Sequence, residues 1–344
     1  MYHSHFTGSH YQAGFRWGRL LLNHGNRVLE SIPFEITRER IEYGESCVPV
    51  YKKYYPEILE EIRGIADGQK CSLTILQAFL FGMYAVPPQC SCSCFATTGT
   101  DGILLGRNSD FFPESRRLNM NVIYRLSGDA IDFTGNTTAF VEMEDGINAR
   151  GLAAGLTSVF PAVRQPGFNA GILLRYLLEK CRTVTEAVEA VKRIPSGSSC
   201  NLILADATGN IVSLEANPEK KIFMPAEEKG SRISYLCAVN RFRHPEMQEY
   251  NKPEIDDWFS GPRLKTMEGF FSSAGSGSGK NVTPLQSAKE LLSGKHGFLC
   301  QYEKKSGKDT VWSVIYDLKN LKIYRAEGNP RRCRFREDER FFRQ

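Results

Sequence analysis

The sequence predicts a layered α+β fold. Three observations carry this expectation. Helical spacing of apolar residues dominates the chain up to Pro88. From Cys90 onward, short runs rich in Thr, Ile and Val alternate with glycine turns. Two helical stretches interrupt these runs before strands return, an order that suits helices packed on sheets.

Each element has a local reason. Tyr11 to Leu29 repeats apolar residues at helical spacing, and Tyr54 to Ala66 does so again with Pro56 at its start and Asp67-Gly68 at its stop. A third helix is expected over Ser72 to Tyr84, capped by Ser72 and ended by Pro87-Pro88. Strands are expected at Ile103–Leu105, Val122–Leu126, Thr138–Glu142 and Ala153–Leu156. Helices follow at Ile172–Cys181 and Val184–Ile194, the second capped by Thr183 or Thr185. Cys200–Ala205 and Ile211–Glu215 read as strands joined through Asp206-Ala207-Thr208-Gly209-Asn210, a hairpin turn. Ser272 to Gly279 reads as a flexible loop, Pro284 to Leu292 as a helix, and Val311–Tyr316 and Lys322–Tyr324 as closing strands.

Composition narrows the function classes. A chain of 344 residues can bury a sizeable core, as one large domain or two. Its 44 basic and 39 acidic residues are interspersed, for a net charge of +5. The dense cluster Arg331 to Arg336 runs straight into Glu337-Asp338-Glu339, so it reads as a solvated tail docked on the core, and no nucleic-acid partner is expected. No window approaches the roughly 18 apolar residues of a membrane helix. The N-terminal residues lack the pattern of a secretion signal, so a soluble, cytoplasmic protein without membrane partners is expected. In that reducing setting Cys47, Cys71, Cys181, Cys200, Cys237, Cys300 and Cys333 read as small apolar core residues. Cys90, Cys92 and Cys94 would share one face of an extended strand, but no second ligand pair accompanies them; neither a metal nor another cofactor is expected. With no export signal, the sequons at Asn136 and Asn281 carry no expectation of glycosylation.

The segment from Cys92 to Asp110 is the most informative. Its two ends flank the turn Gly99-Thr100-Asp101-Gly102, so they fold back side by side and bring Cys92 next to Gly106-Arg107-Asn108-Ser109-Asp110. A neutral thiol is a weak nucleophile; it needs a base or a positive charge beside it. The six histidines carry no local signature of a Cys/His pair, which stays open as one alternative.

Cys-Ser-x-Phe-Ala, then Asp-Gly, then Gly-Arg-Asn-x-Asp-Phe resembles the nucleophile hairpin of the N-terminal-nucleophile (Ntn) hydrolases. The branch is the one joining the acyl-CoA:6-aminopenicillanic acid acyltransferases (peptidase family C45) to the choloylglycine hydrolases and penicillin V acylases. Gly8 to Gly18, Pro56 to Ala66, Leu204 to Gly209 with Glu215, Val239-Asn240-x-Phe242 and Thr310 to Leu318 resemble further segments of that family in order. The resemblance implies a four-layer αββα sandwich with a helical propeptide-like segment over 1–91 and a catalytic domain over 92–344. It implies self-cleavage between Ser91 and Cys92, although many family members carry Gly where Ser91 stands. The freed α-amino group of Cys92 would then be the base, since its reference pKa of about 7.7–8.0 suits proton transfer near neutrality. By resemblance Asp110 positions that amine, Arg107 lowers the thiol pKa, Asn240 and the Thr157 backbone N–H hold an oxyanion, and Arg263 lies near the site. The expected substrate is a small acyl amide or acyl thioester, and the expected product of self-cleavage is a propeptide–catalytic heterodimer, with homo-oligomers left open. A bile-salt or penicillin V acylase-like hydrolase and a catalytically silent binding protein of the same fold are the alternatives.

Overall fold

The computed structural model describes residues 1–32, 34–85, 91–100, 102–226, 233–274 and 284–343. Strand β1 (Tyr2–Gly8) leads into α1 (His10–Asn23), α2 (Arg38–Tyr54), α3 (Pro56–Gln69) and α4 (Leu73–Gly82). The hairpin β2 (Ser91–Gly99) and β3 (Gly102–Phe111) follows, then β4 (Met120–Leu126), β5 (Phe133–Thr137), β6 (Asp145–Asn148) and β7 (Ala153–Ser158). After α5 (Ala170–Lys180) and α6 (Val184–Arg193) come β8 (Cys200–Ala205), β9 (Ile211–Ala216), β10 (Lys221–Pro225) and β11 (Ile233–Ala238). The chain closes with α7 (Ser260–Ala274), α8 (Pro284–Leu292), β12 (Asp309–Asp317), β13 (Lys322–Ala326) and β14 (Arg336–Glu337).

Three apolar layers hold this together. An eight-stranded sheet runs β1-β4-β5-β6-β7-β8-β9-β10 and a six-stranded sheet runs β11-β2-β3-β12-β13-β14. Between them lie Leu105, Ile147, Ile203, Val314 and Tyr316 from alternate strand positions. The outer face of the larger sheet packs on α5, α6 and the N-terminal helices through residues such as Leu156, Leu177, Ile62 and Tyr51. The outer face of the smaller sheet packs on α7 and α8 through Phe95, Ile315, Met267 and Leu291. The order helix, sheet, sheet, helix is the αββα sandwich, and it is α+β as the sequence predicts.

Residues 1–85 are not wholly helical. β1 pairs in parallel with β4, Tyr2 opposite Met120 through Gly8 opposite Leu126, so the first residues are an edge strand of the larger sheet. The helices that follow dock tightly on one another. A Cβ at Gly14 would sit 2.0 Å from the Glu61 carbonyl oxygen and one at Gly64 would sit 2.2 Å from that of Tyr11, so α1 and α3 cross with backbones in contact, as only glycine permits. Helix α2, with Pro49 inside it, has no counterpart in the sequence reading. The expected strand over Thr138–Glu142 is instead a turn between β5 and β6, because the chain reverses there through the Ala139–Glu142 bridge. Ser272 to Ala274 end α7, not a loop. The remaining positions of that loop, Pro87-Pro88, Cys90, Asp101 and Asn281 lie outside the described residues. The C-terminal tail docks as expected: β14 pairs with β13, and Phe341 is buried.

Buried charges join this N-terminal segment to the rest. Arg175 on α5 donates to Glu61 on α3 at 2.9 Å and to Glu179 at 3.2 Å. Glu179 also pairs with His10 at 2.8 Å and accepts from the Tyr55 hydroxyl at 2.6 Å.

Candidate active site

The β2–β3 hairpin builds the site by its register. Cys92 is opposite Ser109, Cys94 opposite Arg107 and Ser91 opposite Asp110. Because side chains alternate across a sheet, Cys92, Ser109 and Arg107 project toward the larger sheet while Ser91, Ser93, Asn108 and Asp110 project toward α7 and α8. One hairpin therefore serves the Cys92 sulfur from one face and its backbone from the other.

On the sulfur's face, Arg107 Nη2 donates to Cys92 Sγ at 2.7 Å and to Glu144 Oε2 at 3.0 Å, and Nη1 donates to Asp145 Oδ2 at 3.0 Å. Its Nε donates to the Leu156 carbonyl at 2.8 Å, which fixes the plane of the guanidinium. Burial alone would discourage its charge, but Cys92, Glu144 and Asp145 reverse that and hold Arg107 firmly protonated. Ser109 Oγ donates to Glu144 Oε2 at 3.0 Å. Asp145 also accepts from Trp312 Nε1 at 3.0 Å and the Tyr316 hydroxyl at 2.6 Å.

On the backbone's face, fully buried Arg263 from α7 donates to the Cys92 carbonyl, to Ser93 Oγ at 3.0 Å and to Asn240 Oδ1 at 2.9 Å. It lies 3.7 Å from Asp110. Asp110 accepts from Thr310 Oγ1 at 2.6 Å and the Tyr302 hydroxyl at 2.9 Å. Burial raises its pKa, and Arg263, Thr310 and Tyr302 only partly offset that. Asn240 continues the line of β11 past its last paired residue and reaches Cys92: its Oδ1 accepts the Cys92 N–H at 2.8 Å, and its Nδ2 donates to the Ser158 carbonyl at 2.8 Å.

The structure thus gathers Cys92, Arg107, Asp110, Asn240 and Arg263, with Ser91 beside them. Thr157 differs from the expectation. The Leu156 N–H points to Glu144 on the β6 side of the strand, so the next N–H, that of Thr157, points to its partner Asn201 on β8. That N–H serves the ladder, while the Thr157 hydroxyl donates to the Val239 carbonyl at 2.8 Å and so braces the strand before Asn240. Histidines are engaged elsewhere: His10 with Glu179, His3 with Glu327, and His244 as a cap on Glu246 N.

Sequence reasoning missed Glu144, Asp145 and Tyr302. The run Glu142-Met143-Glu144-Asp145, acidic inside an apolar stretch, was the available signal for the first two. Tyr302 had none.

A cleft of about 330 Å³ opens over this cluster, lined by Tyr84, Ser91, Ser158, Phe160, Asn240 and Phe259 among others. Cys92 itself is only 1% exposed. Tyr84, Trp258 and Phe259 all hold left-handed backbone, at φ 59, 54 and 62, a conformation bulky residues seldom adopt and one that Phe140 and Leu321 also hold elsewhere in the chain.

Two facing sheets clad by helices, with a thiol and a guanidinium at the open end of a central hairpin, are the features of the Ntn-hydrolase class. The chain belongs to the acyl-coenzyme A:6-aminopenicillanic acid acyl-transferase family, whose model matches residues 97–332. That span includes Arg107, Asp110, Asn240 and Arg263; Cys92 precedes it. Among solved structures, the chain is similar to penicillin V acylase from Agrobacterium tumefaciens, at 17% identity over 69% of this chain and 83% of that one, with a TM-score of 0.47. It is also similar to a Caenorhabditis elegans ortholog of N-acylethanolamine-hydrolyzing acid amidase, at 18% identity over 66% and 93%, TM-score 0.48. A variant of conjugated bile acid hydrolase from Clostridium perfringens matches at 13% identity over 69% and 89%, TM-score 0.38. No curated protein sequence matches the chain. Among the described residues, no helix is long and apolar enough to cross a membrane.

Proposed function

We propose that this chain is a self-processing cysteine amidohydrolase or acyltransferase that cuts itself between Ser91 and Cys92 and then acts on small acyl amides or acyl thioesters. One observation carries the reading: Arg107 Nη2 lies 2.7 Å from the Cys92 sulfur while the residue before it, Ser91, lines the cleft. A guanidinium in that position stabilises a thiolate.

In self-cleavage the Cys92 sulfur attacks the Ser91 carbonyl carbon, the peptide C–N bond breaks with a proton going to nitrogen, and water resolves the resulting thioester. The products are the leader 1–91 and a catalytic chain that begins with a free α-amine. That nitrogen already faces Asn240 Oδ1, and Asp110 is on the backbone's face of the hairpin, so both suit a positioning role toward the amine. In turnover the amine takes the thiol proton, the sulfur attacks the substrate carbonyl, and Asn240 Nδ2 is the side-chain donor for the oxyanion. Water or an amine then receives the acyl group, with hydrolysis the default. The leader stays bound as the partner chain, supported by the β1–β4 pairing and the Arg175–Glu61 bridge. The nine described cysteines are free thiols, which accords with a cytoplasmic setting.

The test is to trap the acyl-enzyme. Protein incubated with chromogenic acyl anilides of graded chain length and quenched in acid is expected to gain the acyl mass on the peptide that begins at Cys92. Turnover with the acyl mass on any other residue would reject the reading.

A further inference from the structure

In the uncut chain the nitrogen of Cys92 is an amide and cannot act as a base, so the first cleavage needs a different proton acceptor. We propose that Glu144 is that acceptor, reached from the Cys92 sulfur through Ser109. The inference rests on the self-processing reading above and deepens it.

The geometry comes from the two faces of the hairpin. Asp110, the carboxylate of the resemblance, is on the face opposite the Cys92 side chain. The carboxylates on the sulfur's own face are Glu144 and Asp145. Cys92 directs its N–H toward Asn240, away from β3, so Cys92 and Ser109 form a non-hydrogen-bonded pair, the closer of the two antiparallel arrangements. Ser109 Oγ already donates to Glu144 Oε2 at 3.0 Å. Arg107 Nη2 bridges the same two ends, at 2.7 Å from the sulfur and 3.0 Å from Glu144 Oε2.

Donor counts select between the two acids. Asp145 accepts from Arg107, Trp312, Tyr316 and, at 2.5 Å, Asn136 Nδ2, which fills its acceptor positions. Glu144 accepts from Arg107, Ser109 and Thr138 Oγ1, the last at 2.9 Å, and so has the emptier carboxylate. Charge points the same way. One guanidinium serves Glu144, Asp145 and Cys92, and releasing the thiol proton to solvent would add an uncompensated anion to a buried cluster. Passing that proton to Glu144 leaves the cluster's charge unchanged.

The step balances. The Cys92 thiol proton moves to Ser109 Oγ as the Ser109 proton moves to Glu144 Oε2, and the sulfur bonds to the Ser91 carbonyl carbon. The relay then runs backward, delivering the proton to the Cys92 nitrogen as the C–N bond breaks. Glu144 acts through Ser109 and Arg107, so a loss of rate alone would not separate proton transfer from support of Arg107.

The experiment follows self-cleavage of freshly purified precursor by intact mass, for wild type, Glu144→Gln, Glu144→Ala and Ser109→Ala, with thermal melts as the folding control. Glu144→Gln is expected to slow cleavage about 100-fold or more. Added formate is expected to accelerate Glu144→Ala in proportion to its concentration. If Glu144→Gln fails to fold, Ser109→Ala, which removes the relay without altering charge, is expected to lose at least 10-fold. Cleavage of Glu144→Gln within threefold of wild type, or slowed cleavage of Glu144→Ala that ignores formate, overturns the inference and leaves self-processing intact. A wild type that never cleaves overturns both.

Discussion

Replacing Arg175 by Met tests how the N-terminal segment is held. The guanidinium is fully buried, bonded to Glu61 and Glu179, and lies 3.9 Å over the Tyr124 ring. Met fills similar volume but leaves buried Glu61 without its cation and Glu179 with only His10 and, at 3.7 Å, Lys180, and breaking a buried pair in that way costs about 3–5 kcal/mol. The Glu179 carboxyl reports the whole network, of which Arg175 is one part. Burial raises it, but the His10 hydrogen bond, the Arg175 charge and Tyr55 bring it from 4.5 down to about 2. A depressed carboxyl stabilises the fold above its unfolded value and loses that contribution as pH falls toward the folded one. Here about 3 kcal/mol is present at pH 7 and disappears between pH 4.5 and 2. Melts should be run in a Cys92→Ala background, so that cleavage does not intervene. Arg175→Met is expected to lower Tm by on the order of 10 °C at pH 7. The deficit should narrow toward pH 4, as Glu179, deprived of the Arg175 charge, takes a proton. A shift under about 2 °C, or one equally large at pH 7 and pH 4, would refute the reasoning.

Two further outcomes are expected from packing and site geometry. Gly64→Ala puts a methyl 2.2 Å from the Tyr11 carbonyl oxygen, where only a separation of α1 from α3 can relieve it, and should cost about 1–3 kcal/mol or more by urea unfolding; a loss below 0.5 kcal/mol would show the helices free to part. Arg263→Ala removes the donor to the Cys92 carbonyl and leaves Asp110 buried without its nearest cation, so self-cleavage followed by gel should slow at least about 100-fold; cleavage at the wild-type rate would remove Arg263 from the site.

The hairpin was legible in the sequence because it is local. A turn between Gly99 and Gly102 sets the pairing, and that register alone delivers Arg107 and Ser109 to one face and Asp110 to the other. Asn240 and Arg263 were reachable only by resemblance, since β11 and α7 bring them in from far along the chain. Glu144, Asp145 and Tyr302 arrive by tertiary packing that no local pattern records. β1 escaped notice for a different reason. Phe6 is its one buried side chain, so an edge strand of otherwise exposed or half-buried residues carries no apolar alternation to read. Thr138–Glu142 misled in the opposite sense: Thr and Val favour strands, but a turn between β5 and β6 overrode that preference.

The most direct test of the central claim is the intact mass of purified protein beside a Cys92→Ala variant, with N-terminal sequencing of any fragments. Wild type is expected to separate into 1–91 and 92–344, with Cys92 as the new N-terminus, while the variant keeps its full 38.8 kDa. A wild type that stays whole, or a variant that cuts at the same bond, would contradict it.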